Sequence, residues 1–326
     1  MMNSTYYQSG EKLSWSGRVD TVKDIRLHQQ VSLVDLKSAK SLKGVATFLG
    51  FCSEEGVRRN KGRVGAADGP AALRKALSSF AWHFSDEFLL KDSGNVSCKD
   101  GNLEVAQDTL AQGVALILGG AGFPVILGGG HETAWGSYLG IRQAVGPTAK
   151  LGVVNIDAHF DLRTPNGRGN SGTPFWQMAD WAQKHDANFS YLCLGINPTG
   201  NTSSLFDVAD HLGVQYLTTD ALSLLPHNSL PDELRLFVQT HDYLYLSIDL
   251  DAFDAAFAPG VSAPASLGLY PLQVLPWLQY MAASGKLILC DVCELNPSYD
   301  IDQRTAKLGA SLLYRILQNL VFVSSS

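Results

Sequence analysis

Seven apolar, β-rich runs constrain this chain more than any other feature. They are Ala46–Phe51, Pro124–Leu127, Leu151–Ile156, Phe189–Leu194, Val214–Leu217, Tyr243–Ile248 and Lys286–Val292. Helical patterns alternate with them at Pro70–Ser78, Leu103–Leu118, Glu132–Ala144, Pro174–His185, Pro231–Thr240, Pro271–Ala283 and Ala306–Leu320. Such alternation builds an α/β fold, in which a mostly parallel sheet is covered by helices. Pro70, Pro174, Pro231 and Pro271 suit helix first turns, where a missing N–H costs nothing. Residues 1–45 are more polar and irregular and are expected to wrap the periphery. With no repeat, low-complexity tract or linker, residues 1–326 read as one domain.

Three of the apolar runs end in metal-ligand chemistry. Val125-Ile126-Leu127 leads through Gly128-Gly129-Gly130 to His131. Leu151–Ile156 is followed by Asp157, His159 and Asp161, and Tyr243–Ile248 by Asp249 and Asp251. Residues at spacing two on extended backbone point to one side, and active sites in open α/β sheets form beyond the carboxyl ends of strands. Helix capping explains a lone Asp after a strand, but not three polar residues at alternate positions. Four carboxylates balance two divalent cations, and a single ion would be over-ligated. Carboxylate oxygen mixed with imidazole suits Mn(II) or a similar ion. The glycines permit close backbone approach that other residues would resist.

Other chemistry is poorly supported. The triple glycine lacks the lysine and spacing of a phosphate-binding loop. No nucleophile-elbow sequence surrounds a serine or cysteine. His28, His83, His185, His211, His227 and His241 lie in polar or helical surroundings and are expected at the surface. The net charge of −6 argues against a nucleic-acid partner, and the short basic stretch Arg58, Arg59, Lys61, Arg63 reads more simply as a solvated turn. The longest apolar stretch, about 114–130, is broken by glycines and Pro124, so no membrane span is expected. The start MMNSTYYQSGEKLSW has no apolar leader core. Five cysteines without framework spacing suit a reducing cytoplasm. Cys290 and Cys293 sit three apart on a strand, face opposite ways and should not meet.

Gly-Gly-Gly-His131-Glu132, Asn155-Ile-Asp157-Ala-His159-Phe-Asp161, Ser247-Ile-Asp249-Leu-Asp251-Ala-Phe-Asp254 and Asp291-Val-Cys-Glu294-Leu-Asn296-Pro297 together resemble the ureohydrolase superfamily of arginase, agmatinase and formimidoylglutamase. Arg63-x-Gly65-x-x-x-Gly69-Pro70-x-x-x-Arg74 fits as well, so the match is ordered and covers roughly residues 45–320. The resemblance implies an arginase-like three-layer αβα sandwich, two Mn(II) ions per subunit, hydrolysis of a guanidine or amidine C–N bond, and a homo-oligomer, trimeric or hexameric. It places His131, Asp157, Asp161 and Asp249 at one ion and Asp157, His159, Asp249 and Asp251 at the other.

The departures select a branch. Ser171-Gly172-Thr173-Pro174 stands where arginases have a segment beginning with histidine, and Arg163 where they have asparagine. Glu55-Gly56-Val57-Arg58-Arg59-Asn60, Asp161-Leu162-Arg163, Ser171–Phe175 and Trp15-x-Gly17-Arg18-x-Asp20 are similar to formimidoylglutamases. On that resemblance the substrate is N-formimino-L-glutamate, a small acidic amidine. Glu294 pairs with its amidinium and Asp161 passes a proton. Arg163 meets a carboxylate, the alternative being a salt bridge to a metal-binding Asp. Ser171, Arg59 and Asn201 are further candidates for the substrate. Three rivals stay open: a ureohydrolase acting on agmatine or guanidinobutyrate, a metal-binding homologue without activity, and a histone-deacetylase-like amidohydrolase using one zinc, against which four Asp in two motifs favour two ions.

Overall fold

The computed structural model describes residues 2–21, 23–39, 41–226 and 228–323. Its strands are β1 (Tyr7–Ser9), β2 (Ser32–Leu33), β3 (Val45–Cys52), β4 (Leu89–Ser97), β5 (Phe123–Leu127), β6 (Leu151–Ile156), β7 (Tyr191–Ile196), β8 (Gln215–Thr218), β9 (Tyr243–Asp249) and β10 (Leu287–Cys293). Its α-helices are α1 (Glu55–Arg59), α2 (Gly69–Ser78), α3 (Leu103–Gly119), α4 (Thr133–Val145), α5 (Pro174–Lys184), α6 (Ser203–His211), α7 (Thr219–Ser223), α8 (Asp232–Thr240), α9 (Pro271–Ala283) and α10 (Arg304–Gln318). All seven expected strands and all seven expected helices are present, with ends shifted by a few residues.

The strands form one sheet in the order β1-β4-β3-β5-β10-β9-β6-β7-β8, with β2 also pairing with β4. Every pairing is parallel except β1 with β4. The period-two side-chain alternation divides the core in two. Phe48, Val154 and Leu246 face a layer containing α2, α8, α9 and α10, whereas Leu49, Val153 and Tyr245 face one containing α3, α4, α5 and α6. The result is the three-layer αβα sandwich. Both faces of the central strands are covered, which is why those strands read as continuous apolar runs.

The chain passes from β5 through α4 to β6, and β10 and β9 lie between those two strands. Four adjacent strands, β5, β10, β9 and β6, thus end side by side, and the crevice beyond their carboxyl ends is where such sheets bind ligands.

The structure adds what the apolar pattern concealed. Strand β4 carries Lys91, Asp92 and Asn95, which disguise it as a loop. Asp92 is fully buried. It accepts from Arg74 Nε (2.7 Å) and Nη2 (3.0 Å) and from Trp15 Nε1 (2.8 Å). This fork-shaped charge-assisted pairing makes the buried carboxylate tolerable. The N-terminal segment does more than wrap the periphery: β1 and β2 extend the sheet edge, and Met2, Tyr6, Tyr7, Leu27, Leu36 and Leu42 are buried. His241, expected at the surface, is buried between Phe237 O (2.7 Å) and Ser190 Oγ (2.7 Å); His227 lies outside the described residues. All five cysteines are free, including Cys290 and Cys293.

Candidate metal centre and substrate cleft

The six expected ligands converge. His131 follows β5, Asp157, His159 and Asp161 follow β6, and Asp249 and Asp251 follow β9. Ligand atoms of His131, Asp157, Asp161 and Asp249 form one cluster, and those of Asp157, His159 and Asp251 form a second. Asp157 belongs to both. Asp249, expected at both ions, falls only in the first; its Oδ1 accepts the Asp251 N–H at 2.8 Å. Asp157 Oδ1 accepts the His159 N–H at 2.7 Å in the same way. These local turns bend each chain segment so that successive carboxylates face one another.

The contacts resemble a coordination shell more than a hydrogen-bond network. His131 Nδ1 lies 3.1 Å from Asp157 Oδ2, 3.0 Å from Asp161 Oδ2 and 3.1 Å from Asp249 Oδ2. Despite those distances the atom has no hydrogen-bond partner and is fully buried, as is Asp251 Oδ1. Donor atoms that crowd a common point without bonding one another are arranged for a cation at that point. Oxygen and imidazole nitrogen donors suit a hard or borderline divalent ion.

Backbone geometry holds the ligands. Asp161 and Glu294 adopt left-handed torsions, φ 49° and 65°, conformations that non-glycine residues keep mainly where surroundings force them. A Cβ on Gly129 would lie 1.9 Å from Ser53 O, and one on Gly130 would lie 2.1 Å from Glu132 Oε2. Close packing therefore explains these two glycines. Glu132 is buried below the site, where its Oε1 accepts from Ser53 Oγ (2.8 Å) and Gly56 N (2.9 Å).

A relay that the sequence reading did not assign fixes His131. Its Nε2 lies 2.9 Å from Ser247 Oγ, which donates to Asp291 Oδ1 at 2.6 Å; Tyr245 and Ser137 donate to Asp291 Oδ2. The Ser247 and Asp291 side chains thus orient the imidazole so that Nδ1 faces the carboxylates, the usual task of groups behind a metal ligand. Ser247 and Asp291 occur in the quoted motifs, but their meeting depends on β9 and β10 being neighbours.

A cleft of about 330 Å³ opens over the ligands, lined among others by Lys61, Arg63, Arg163, Ser171, Asn201, Ser262 and Glu294. Glu294 Oε1 accepts the His131 N–H at 2.8 Å. Burial, reinforced by the nearby Glu132 carboxylate, pushes the Glu294 carboxyl up to about 8. The Arg163 side chain is exposed and forms no ion pair among the described residues, while its N–H donates to Gly172 O. The salt bridge to a metal-binding Asp considered for it is absent there. Ser171 is buried at the cleft wall and accepts from Asn60 Nδ2 at 3.1 Å.

Two substrate candidates have their side chains engaged by the protein itself. Arg59 is not among the residues lining the cleft. Its guanidinium is spent on Glu55, Glu104, Gly169 O and Gly101 O. Asn201 lines the cleft, but its amide is used by the backbone: Oδ1 accepts from Phe160 N, and Nδ2 donates to Ala158 O and Asn197 O. It pins the segment between Asp157 and Asp161. Side-chain reach, which spacing does not encode, separates these residues from Arg163.

Without cations the ligand set holds protons. Burial disfavours a charged His131, but the surrounding carboxylates outweigh it and hold the imidazolium far above its usual range. Asp251 does the same for His159. Burial and the neighbouring Asp157 push Asp161 up to about 6. Cation binding must expel these protons, so affinity falls as pH falls, by about tenfold per pH unit for each proton displaced. Equilibrium dialysis at pH 8 and pH 5.5 should show much lower metal content in the acid sample, and cation addition to weakly buffered protein should release protons. Equal occupancy at both pH values would contradict this account.

Residues 46–318 match the arginase-family model. The chain belongs to the arginase family. Among its relatives, the formimidoylglutamase of Geobacillus thermodenitrificans (strain NG80-2) is 42% identical over 315 residues, covering 95% of this chain and 97% of that one. The formimidoylglutamase of Rhodococcus jostii (strain RHA1) is 44% identical over 306 residues, covering 93% and 94%. A Trypanosoma cruzi formiminoglutamase crystallised with Mn2+2 superposes with a TM-score of 0.78 at 25% identity, covering 91% of this chain and 98% of that one. The Bacillus subtilis formimidoylglutamase (subsp. subtilis str. 168) shares the arginase-family fold, with a TM-score of 0.80 at 22% identity, covering 93% and 94%. No helix of the described residues is long and apolar enough to cross a membrane.

Proposed function

We propose that this chain hydrolyses N-formimino-L-glutamate to L-glutamate and formamide, the formimidoylglutamase reaction of histidine breakdown. The observation that carries this reading is the composition of one cleft: a buried carboxylate, Glu294, beside a di-cation donor set, with Lys61 and Arg163 on the rim forming no ion pair among the described residues. An amidinium needs the first and a dicarboxylate needs the last. The formimidoylglutamases that match nearly the whole chain support the same substrate.

We assign His131, Asp157, Asp161 and Asp249 to one Mn(II) and Asp157, His159 and Asp251 to the other. Two cations there would lower the pKa of a shared water and offset charge developing at the attacked carbon. The chain's own residues do the remaining work. Glu294 accepts the amidinium N–H groups in charge-assisted bonds and fixes the carbon over the ligand set. Asp161 takes a proton from water and returns it to the glutamate nitrogen as the C–N bond breaks. Arg163 binds a carboxylate, and Ser171 at the wall contributes a hydroxyl. Agmatine, a dication, would meet Lys61, Arg63 and Arg163 at the rim and be repelled. The family resemblance adds a homo-oligomer, trimeric or hexameric, and the five free cysteines fit a reducing cytoplasm.

Incubation with Mn(II) and formiminoglutamate should yield equimolar glutamate and formamide. Urea release from a guanidine with no formamide from formiminoglutamate would reject the reading. Arg163→Ala should raise KM for formiminoglutamate about tenfold or more, about 1.5–3 kcal/mol for a bond between charged groups. An unchanged KM would assign Arg163 to structure.

A further inference from the structure

Lys61 stands out once Arg59 is removed from the cleft. Helix α1 ends in a paired turn: Gly62 N donates to Val57 O (2.9 Å) and Lys61 N to Arg58 O (3.0 Å). This is the helix ending in which the first residue past the cap adopts the left-handed conformation, and glycine usually fills it. Here that residue is Lys61, with φ 63°. Glycine follows one place later, so the strained position is occupied by a side chain although a relaxed alternative is chemically simple. Lys61, Asp161 and Glu294 are three of the eight described non-glycine residues with left-handed torsions, and all three line the same cleft.

The position has a consequence for charge. A Cβ on Gly172 would lie 3.1 Å from Asn60 Nδ2 and 3.2 Å from Arg163 Cδ. Gly172 therefore bridges the base of Lys61's turn to the Arg163 side chain, and the two cations share one rim. Lys61 is exposed and forms no ion pair or side-chain hydrogen bond among the described residues. The third cation, Arg63, is already fixed. Its Nε donates to Ser262 O (2.9 Å), Nη2 to Val261 O, and its guanidinium lies 4.1 Å over the Tyr299 ring. Two unpaired cations on one rim repel each other until an anion joins them.

We propose that Lys61 is a specificity-determining residue that binds the distal, side-chain carboxylate of the acidic amidine, leaving the α-carboxylate to Arg163. This rests on the reading of function given above. The assignment follows from reach. Arg163 follows the ligand Asp161 by two residues, which suits it to the α-carboxylate, the one nearer the reacting carbon. Lys61 comes from the turn that ends α1, a segment carrying no metal ligand, and its long flexible stem suits the carboxylate farther from the reacting carbon.

The test uses the full-length Mn(II)-loaded enzyme with Lys61→Gly and Lys61→Arg. Glycine removes the ammonium and relaxes the left-handed torsion, so the fold should be retained or stabilised, as read by melting temperature. Lys61→Gly should raise KM for formiminoglutamate about tenfold, about 1.4 kcal/mol, with a much smaller change in kcat. Lys61→Arg should recover most of that loss. N-formimidoylglycine, which keeps the α-carboxylate and lacks the distal one, should bind both variants and wild type alike, whether followed by turnover or by competitive inhibition. An equal loss for both compounds, or no loss for formiminoglutamate, would overturn the role of Lys61. Wild-type enzyme that fails to release formamide from formiminoglutamate would overturn the functional reading and this proposal with it.

Discussion

Asp249→Ala should lower kcat by roughly a thousandfold or more and cut bound metal toward one ion per chain. Asp249 is fully buried with its Oδ2 3.1 Å from His131 Nδ1, and its Oδ1 holds the Asp251 N–H. Alanine therefore removes a ligand from one cluster and the backbone anchor of a ligand in the other. The effect on stability should run the opposite way in metal-free protein. Burial, then Asp251 and Asp157, hold the Asp249 carboxyl far above its usual range. A folded-state pKa raised above the unfolded one makes ionisation costly, so the penalty grows as pH rises from the ordinary carboxylate range. At pH 8 the metal-free variant should melt at or above the wild-type temperature, while the rise in melting temperature caused by Mn(II) should shrink. A variant that keeps full turnover with depleted metal would defeat the two-cation site. Asp157, shared by both clusters, should likewise lose turnover and bound metal on substitution, but despite its burial His131 and His159 hold its carboxyl below the usual range, so its removal should lower metal-free stability rather than raise it.

Glu294→Gln should leave the metal content intact and lower kcat/KM by roughly 10²- to 10³-fold, about 3–4 kcal/mol for a buried charge left without its partner. Glutamine still offers Oε1 to the His131 N–H, so the backbone between β5 and β10 should hold. What disappears is the negative charge facing the amidinium. Burial and the nearby Glu132 raise Glu294 to about 8, so below that pH its charged form is scarce until a cation arrives. Amidinium binding should therefore release a proton in the metal-free protein, and in the loaded wild type kcat/KM should rise with pH over a range that the bound cations move below that value. The glutamine variant should lose that rising limb. Wild-type-like kinetics and pH profile in Glu294→Gln would exclude contact with the substrate.

The site was legible in unequal parts, and the inequality has a physical basis. His131, Asp157, His159, Asp161, Asp249 and Asp251 could be found because each follows a buried apolar strand, a position read from local pattern. The relay through Ser247 and Asp291 could not, since both lie inside apolar runs and meet only across the β9–β10 pairing. Strand β4 escaped notice because Asp92 breaks its apolar pattern, and only Arg74, 18 residues earlier in sequence, makes that charge tolerable. Arg59 and Arg163 are chemically alike. Their separation into a structural tie and a free cation depends on Glu55 and Glu104 lying within reach of one and not the other.

The sequence by itself determined the layered α/β fold, the six donors and their di-cation chemistry. Strand periodicity and ligand spacing are local, and a charge count needs no coordinates. Only the tertiary structure decided which strands stand side by side, which carboxylate spans both clusters, and which basic residues keep their charge free for a ligand. Those properties depend on distances of a few ångströms between segments far apart in sequence. At such separations a change in strand order or in one ion pair alters the chemistry while leaving the local pattern unchanged.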